Sequence, residues 1–207
     1  DSRFNSNYPD DTGWGRLIGD AFLAQTGADV AMTNAGGIRG NFVIDEGEVT
    51  YDDVYTSLPF GNTLVTKEMT GEQIVEYLSA TASPFDSNFG VQGELQVGGI
   101  TYELIDRPEP GQRVTDVHVQ GEPIEMDRTY EVTVNSFMAG GETLSQLETV
   151  DENLKLYGTA VVEYIEQQGT VTPPAEDRIR RTTRTLGEPT VSLDEETATL
   201  EYDVPDA

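Results

Sequence analysis

The apolar positions of the chain first recur at helical spacing and then switch to runs and alternation. Trp14, Leu17, Ile18, Ala21 and Phe22 share one helical face behind the candidate caps Asp11 and Thr12, and Gly27 stops the run. Asp29 to Thr33 reads as a short buried strand that runs straight into the loop Asn34-Ala35-Gly36-Gly37-Ile38-Arg39-Gly40. Thr50 with Asp53 three residues later reads as a capping box for a helix through Leu58, stopped by Pro59. Asn62 to Met69 reads as a strand. Thr70 then caps a helix with Ile74, Tyr77 and Leu78 on one face, and the Ser-, Asn- and Gly-rich stretch Ser79 to Gly93 reads as a long loop.

Leu95-Gln96-Val97 and Ile100 to Ile105 predict two strands across the pair Gly98-Gly99. Val114, Val117 and Val119 suggest another strand, as does the alternation from Tyr130 to Asn135. Ala160 to Gln168 reads as a helix with Val161, Val162 and Ile165 inward, before Pro173-Pro174 breaks the chain. Thr190 to Leu193 and Thr197 to Tyr202, around Asp194-Glu195-Glu196, predict a hairpin added to the edge of the main domain. Helices interleaved with hairpin-spaced strands predict a mixed α+β layered domain. Residues 1–12 are polar and lack an initial Met, so they read as a leader from a preceding domain or linker of a longer protein. The main domain is placed at residues 13–181, and residues 182–207 are a hairpin extension or the start of a further segment.

Composition narrows the function. The 207 residues are 36% hydrophobic, enough for a core, and no segment approaches the roughly 18 uninterrupted apolar residues of a membrane helix. Without Cys there is no thiolate zinc site, disulfide or cysteine nucleophile, and a single His rules out imidazole-rich metal centres. Thirty-eight acids against twelve bases give a net charge of −26. That field repels nucleic acid and anionic membranes. The acids are spread along the whole chain, which points to a halophilic setting: at 1 M salt the Debye length is about 3 Å and self-repulsion largely disappears.

In so acidic a chain each cation carries weight. The paired glycines Gly36-Gly37 let backbone amides approach an anion, and Arg39 beyond them offers a planar fork for phosphate or carboxylate. Pro59-Phe60-Gly61-Asn62 is a turn that either packs its phenylalanine or presents Asn62 to a ligand. Gly140-Gly141-Glu142 sits beyond the strand ending in Asn135, and with Gly98-Gly99 these glycine loops could line one cleft. His118, between Val117 and Val119, should point outward. The carboxylate pairs Asp10-Asp11 and Asp52-Asp53 and the Asp194-Glu195-Glu196 run read as solvated faces, since no calcium-loop spacing is present.

These segments, in this order, resemble the C-terminal, substrate-binding domain of the 5′-nucleotidase family of metallophosphoesterases, which includes UDP-sugar hydrolases. Gly13 to Ala28 looks like the family's first helix, Asp29 to Gly40 like its Asn-x-Gly-Gly-Ile-Arg signature, and Leu58 to Asn62 like its Pro-Phe-Gly-Asn turn. Leu95 to Gly99, Gly111 to Val114, Tyr130 to Asn135 and Gly140-Gly141-Glu142 follow, ending near Arg178-Ile179. The resemblance implies a layered α/β/β/α sandwich with mixed sheets and an extracellular or cell-surface location. It implies a nucleotide or other phosphorylated ligand, held for a dinuclear divalent metal centre on an N-terminal metallophosphoesterase domain of the same polypeptide. This chain carries no cofactor or catalytic residue on that reading, and is inactive alone. Arg39 then matches the phosphate-binding arginine and Gln96 a position near the base, with Asn34, Gly36, Gly37, Asn62, Asn135, Gly140 and Gly141 completing the candidate site. The family's two base-clamping rings fall at Glu94 and Leu144 here, and Glu142-Thr143 replaces the usual Asp-Gly. Stacking is worth about 1–3 kcal/mol per ring. Phe85, Phe89 and Phe137 are candidate replacements, and a module that kept the fold but binds another anion or a partner protein is the alternative.

Overall fold

A computed structural model describes residues 4–5, 11–39, 43–44, 46–81, 95–105, 114–152, 155–175, 177–182, 190–193 and 198–201. The helices are α1 (Gly13–Thr26), α2 (Tyr51–Ser57), α3 (Gly71–Thr81), α4 (Ser136–Ala139) and α5 (Tyr157–Gln168). A five-stranded sheet has the order β10 (Thr149–Asp151), β4 (Leu64–Thr70), β9 (Thr129–Asn135), β2 (Val30–Asn34), β5 (Leu95–Gly98). A four-stranded sheet has the order β11 (Ile179–Thr182), β6 (Ile100–Ile105), β7 (Val114–Val119), β8 (Glu122–Pro123). Each sheet has one parallel pair, β2 with β9 and β11 with β6, and is otherwise antiparallel. Two short ladders join β1 (Phe4–Asn5) to β3 (Val43–Ile44) and β12 (Thr190–Leu193) to β13 (Ala198–Glu201).

Strand alternation divides the core in two. Val30, Met32, Leu95, Val97, Tyr130, Val132 and Val134 turn to one face of the five-stranded sheet and pack with Ile100, Tyr102, Val117 and Val119 of the other sheet. Helix α3 closes this inter-sheet core with Ile74, Tyr77 and Leu78. On the opposite face Ala31 and Leu64 meet Trp14, Leu17, Ile18 and Phe22 of α1, Val54 of α2 and Tyr157, Ala160 and Val161 of α5. The α+β layering with two mixed sheets expected from the sequence is therefore present. Gly99 hands the chain from one sheet to the other at φ 70°, where a Cβ would stand 2.3 Å from the Asp29 carbonyl oxygen.

The local signals fold for the stated reasons. Thr12 caps α1 by accepting the Gly15 amide, and Gly27 ends it in the left-handed conformation. Thr50 and Asp53 form the reciprocal capping box, and Thr70 with Gln73 makes a similar exchange at α3. The two hydrogen bonds from Thr50 hold the Asp53 carboxyl below its usual pKa, so its contribution is complete above the ordinary carboxylate range and is lost as pH falls through the depressed value. Thr50→Ala is expected to cost about 1 kcal/mol in the denaturant midpoint at neutral pH, and less in acid.

Several expectations need correction. Ser79 to Thr81 belong to α3 instead of a loop, with Ser79 and Thr81 buried; the remainder of that predicted loop lies outside the described residues, as do Glu94, Phe85, Phe89 and the Asp194-Glu195-Glu196 run. Helix α5 starts at Tyr157, three residues before the predicted start. Strands β12 and β13 pair with each other as the hairpin reading expects, and among the described residues neither pairs with a strand of the two large sheets. Asp11 is not a solvated acid: its carboxylate is buried, accepts the Arg178 amide and pairs with Arg16. His118 does lie outward, between buried Val117 and Val119.

Candidate functional site

Parallel neighbours β2 and β9 end side by side, each in an asparagine followed by a glycine-bearing turn. Asn34 opens the short 3-10 turn Ala35–Gly37, and Asn135 caps α4, which leads to Gly140 and Gly141. The two asparagines are buried and joined directly, Asn135 Nδ2 donating to Asn34 Oδ1 at 2.9 Å and to Thr33 Oγ1 at 3.1 Å. The other amide atom, Asn135 Oδ1, accepts the Met138 amide at 3.0 Å. The pair thus fixes the spacing of both turns. A Cβ at Gly37 would stand 2.9 Å from Asn34 Oδ1, so this glycine makes room for the link.

Antiparallel β4 begins at the same end of the sheet, with Leu64 opposite Asn135, and brings in the Pro59 to Asn62 turn. The Thr63 amide donates to Ser136 Oγ at 3.1 Å, and the Ser136 hydroxyl reaches Asn62 Oδ1 at 3.4 Å. Arg39 is exposed at this rim; its amide donates to the Ser57 carbonyl at 2.6 Å and its guanidinium carbon lies 4.8 Å from the centroid of the Phe60 ring. Arg16, Arg128, Arg178, Arg180 and Lys155 pair with carboxylates. Among the described residues Arg39 makes no such pair, and its charge faces solvent over an aromatic ring.

Asn34, Gly36, Gly37, Arg39, Asn62, Asn135, Gly140 and Gly141 therefore converge on one end of the five-stranded sheet. The Gly140 and Gly141 amides are engaged inside their own turn, with the Ser136 and Met138 carbonyls. Gln96 is paired in register with Thr33 but turned under α1, 2% exposed, where its Oε1 accepts the Thr12 amide at 3.0 Å. Gly98-Gly99 lies apart from these residues: Gly98 lies against the α1 backbone at Gly19, and Gly99 is next to Asp29 at the other end of β2. Leu144 is 1% exposed in the inter-sheet core, while Phe137 is 55% exposed beside Ser136.

Tyr157 is the site residue that sequence reading missed. It is fully buried at the start of α5; its amide donates to the Asn62 carbonyl at 3.0 Å, and its hydroxyl accepts the Phe60 amide at 3.2 Å and reaches the Gly37 carbonyl at 3.5 Å. Burial pushes the hydroxyl up to about 12, against the Phe60 amide and the Arg39 charge, which pull it down. Carrying the apolar period of Ala160 and Val161 one turn back would have reached it. A separate cleft of about 560 Å³ between α3 and residues 142–147 is lined, among the described residues, by Glu76 and Glu142 and by no Lys, Arg or His. Among the described residues no group of three or more His, Asp or Glu is placed to hold a metal ion.

The family model described as 5′-nucleotidase, C-terminal domain, matches residues 2–149. The trifunctional nucleotide phosphoesterase protein YfkN of Bacillus subtilis is 38% identical over 145 residues, covering 65% of this chain and 10% of that protein. A 5′-nucleotidase of Vibrio vulnificus is 37% identical over 131 residues, 63% of this chain and 22% of its own length. The crystal structure of a 5′-nucleotidase precursor from Thermus thermophilus superposes with a TM-score of 0.76 at 31% identity, over 86% of this chain and 38% of that one. This chain thus spans well under half of each of these relatives. A likeness that covers most of this chain, in sequence and in fold, places it in the 5′-nucleotidase family, as a C-terminal domain of that family.

Proposed function

We propose that this chain is the substrate-binding domain of a 5′-nucleotidase-family hydrolase, holding the phosphoryl and nucleoside parts of a nucleotide, or another phosphorylated small molecule. The observation that carries the reading is Arg39: a guanidinium over the Phe60 ring, facing solvent and without a carboxylate partner among the described residues, at the end of the sheet from which both glycine-bearing turns leave. The dinuclear metal centre that would activate water for phosphoester hydrolysis belongs, on this reading, to an N-terminal domain of the same polypeptide. Arg39 binds and orients the anion; the Asn135–Asn34 hydrogen bond sets the spacing of the two turns. The proposal extends to an extracellular or cell-surface setting at high salt, in which the net charge of −26 is screened. No helix among the described residues is long and apolar enough to cross a membrane.

Calorimetric titration in multimolar KCl with AMP, UDP-glucose and inorganic phosphate tests this. Saturable binding is expected in the wild-type chain. Arg39→Ala should lose about 10- to 100-fold in affinity, since hydrogen bonds to a charged partner are worth about 1.5–3 kcal/mol. Equal affinity in the variant rejects Arg39 as the anion site. A second reading, an interaction module that kept the fold, draws on Leu144: the position where the resemblance expects a clamping ring holds a core leucine. A folded chain that binds none of the three ligands favours it.

A further inference from the structure

Tyr157 stands at a junction that neither its position in the sequence nor the resemblance singles out. Its hydroxyl touches two loops that meet at Arg39 from different sides. One contact is the Gly37 carbonyl, two residues before Arg39 on the same loop; the other is the amide of Phe60, the residue whose ring lies under the guanidinium. Its own amide takes the Asn62 carbonyl, so a third point of the same turn is fixed by the same residue. The ring is fully buried and the hydroxyl stays protonated throughout the physiological range, so this is a permanent two-way link and not a titrating group.

We infer that Tyr157 is the positioning residue for the Arg39 anion site, setting both the backbone that carries the guanidinium and the ring on which it rests. This rests on the proposed substrate-binding role. A free arginine side chain samples many rotamers, and holding it over an anion costs entropy at each binding event. Here the Phe60 ring beneath, the Ser57 carbonyl on the Arg39 amide and the Tyr157 hydroxyl behind both loops meet that cost on folding. Tyr157 itself touches no ligand, because it is fully buried.

The test compares Tyr157→Phe, Phe60→Leu, Arg39→Ala and a control, Tyr164→Phe, on the same helix. Three quantities are read: affinity for inorganic phosphate and AMP, the unfolding midpoint, and the NMR shift of the Arg39 Nε–H group, which senses the Phe60 ring. Tyr157→Phe keeps the ring and removes only the hydroxyl. It is expected to lower phosphate and AMP affinity about tenfold and to move the Arg39 resonance, without weakening the Arg39→Ala protein further when the two are combined. Phe60→Leu keeps the amide that Tyr157 binds and tests the ring half of the inference: it should also weaken phosphate binding with little change in the midpoint, and wild-type affinity there overturns that half even if Tyr157→Phe does not fold. Tyr164→Phe should change neither affinity nor the Arg39 resonance. Wild-type affinity and an unmoved Arg39 resonance in Tyr157→Phe, even with a lower midpoint, would assign Tyr157 to the fold alone and overturn the inference. Binding that is lost in Arg39→Ala but kept in both Tyr157→Phe and Phe60→Leu rejects this inference and leaves the substrate-binding role intact. A wild-type chain that binds neither ligand rejects both.

Discussion

A Gly19→Ala variant is expected to lose about 3 kcal/mol of stability, a fall of about 6–12 °C in the unfolding midpoint for a chain of this size. Gly15 and Gly19, one turn apart on α1, place bare backbone against β5. A Cβ at Gly19 would lie 2.8 Å from the Val97 carbonyl carbon and oxygen and from the Gly98 nitrogen, and one at Gly98 would lie 2.7 Å from the Gly19 carbonyl. Backbone stands on both sides, so neither partner can rotate away. Alanine in a helix interior gains about 1 kcal/mol over glycine, and the sign therefore depends on whether α1 can lift. Lifting it would open the packing of Trp14, Leu17, Ile18 and Phe22 and pull Thr12 from Gln96, so strain should exceed the propensity gain. Gly15→Ala is a useful contrast. Its Cβ would meet a side chain instead of backbone, 1.8 Å from Gln96 Oε1 and 2.5 Å from its Cγ, so the buried Gln96 would have to turn and release the Thr12 amide. A Gly19→Ala midpoint at or above wild type would show that α1 does not need this close seat.

That seat also shows where sequence reading stops. The apolar stripe of α1 was visible because burial against a sheet demands a 3.6-residue period, and the capping box at Thr50 because its two partners are three residues apart. The glycine stripe on the same helix was not, because a missing side chain leaves no mark on an apolar pattern. The proposed anion site at the glycine turn and Arg39 could be named from sequence because its chemistry is local. Gln96 could not be placed without knowing that α1 covers its side of β5. Tyr157 was missed for a related reason: its partners Gly37, Phe60 and Asn62 lie about a hundred residues away, and only the sheet brings them together. Leu144 taught the reverse lesson, since a position judged by its motif proved to face the core.

Asp11→Ala is the second large expected effect, about 3–5 kcal/mol, and unlike most charge changes on this chain it should persist in multimolar KCl. The Asp11 side chain is 5% exposed and accepts the amides of Arg178 at 2.6 Å and Ile179 at 3.2 Å while pairing with Arg16 at 3.1 Å. Arg178 in turn donates to the Arg16 and Val97 carbonyls and to Asp20. Residues 11–20 and 177–179 are thereby clasped together, which holds β11 in its parallel place beside β6. Removing the carboxylate would leave two amides without this acceptor and the Arg16 guanidinium with only Asp177, a partner 70% exposed. Glu163→Ala provides the control, because the Lys155–Glu163 pair is partly exposed on both sides; its loss should stay within about 1 kcal/mol and shrink as salt rises. Denaturant midpoints for both variants at low and high KCl separate the cases. A penalty for Asp11→Ala that vanished at high salt would mean that solvent ions reach the clasp and that this acid, like the exposed ones, is screened.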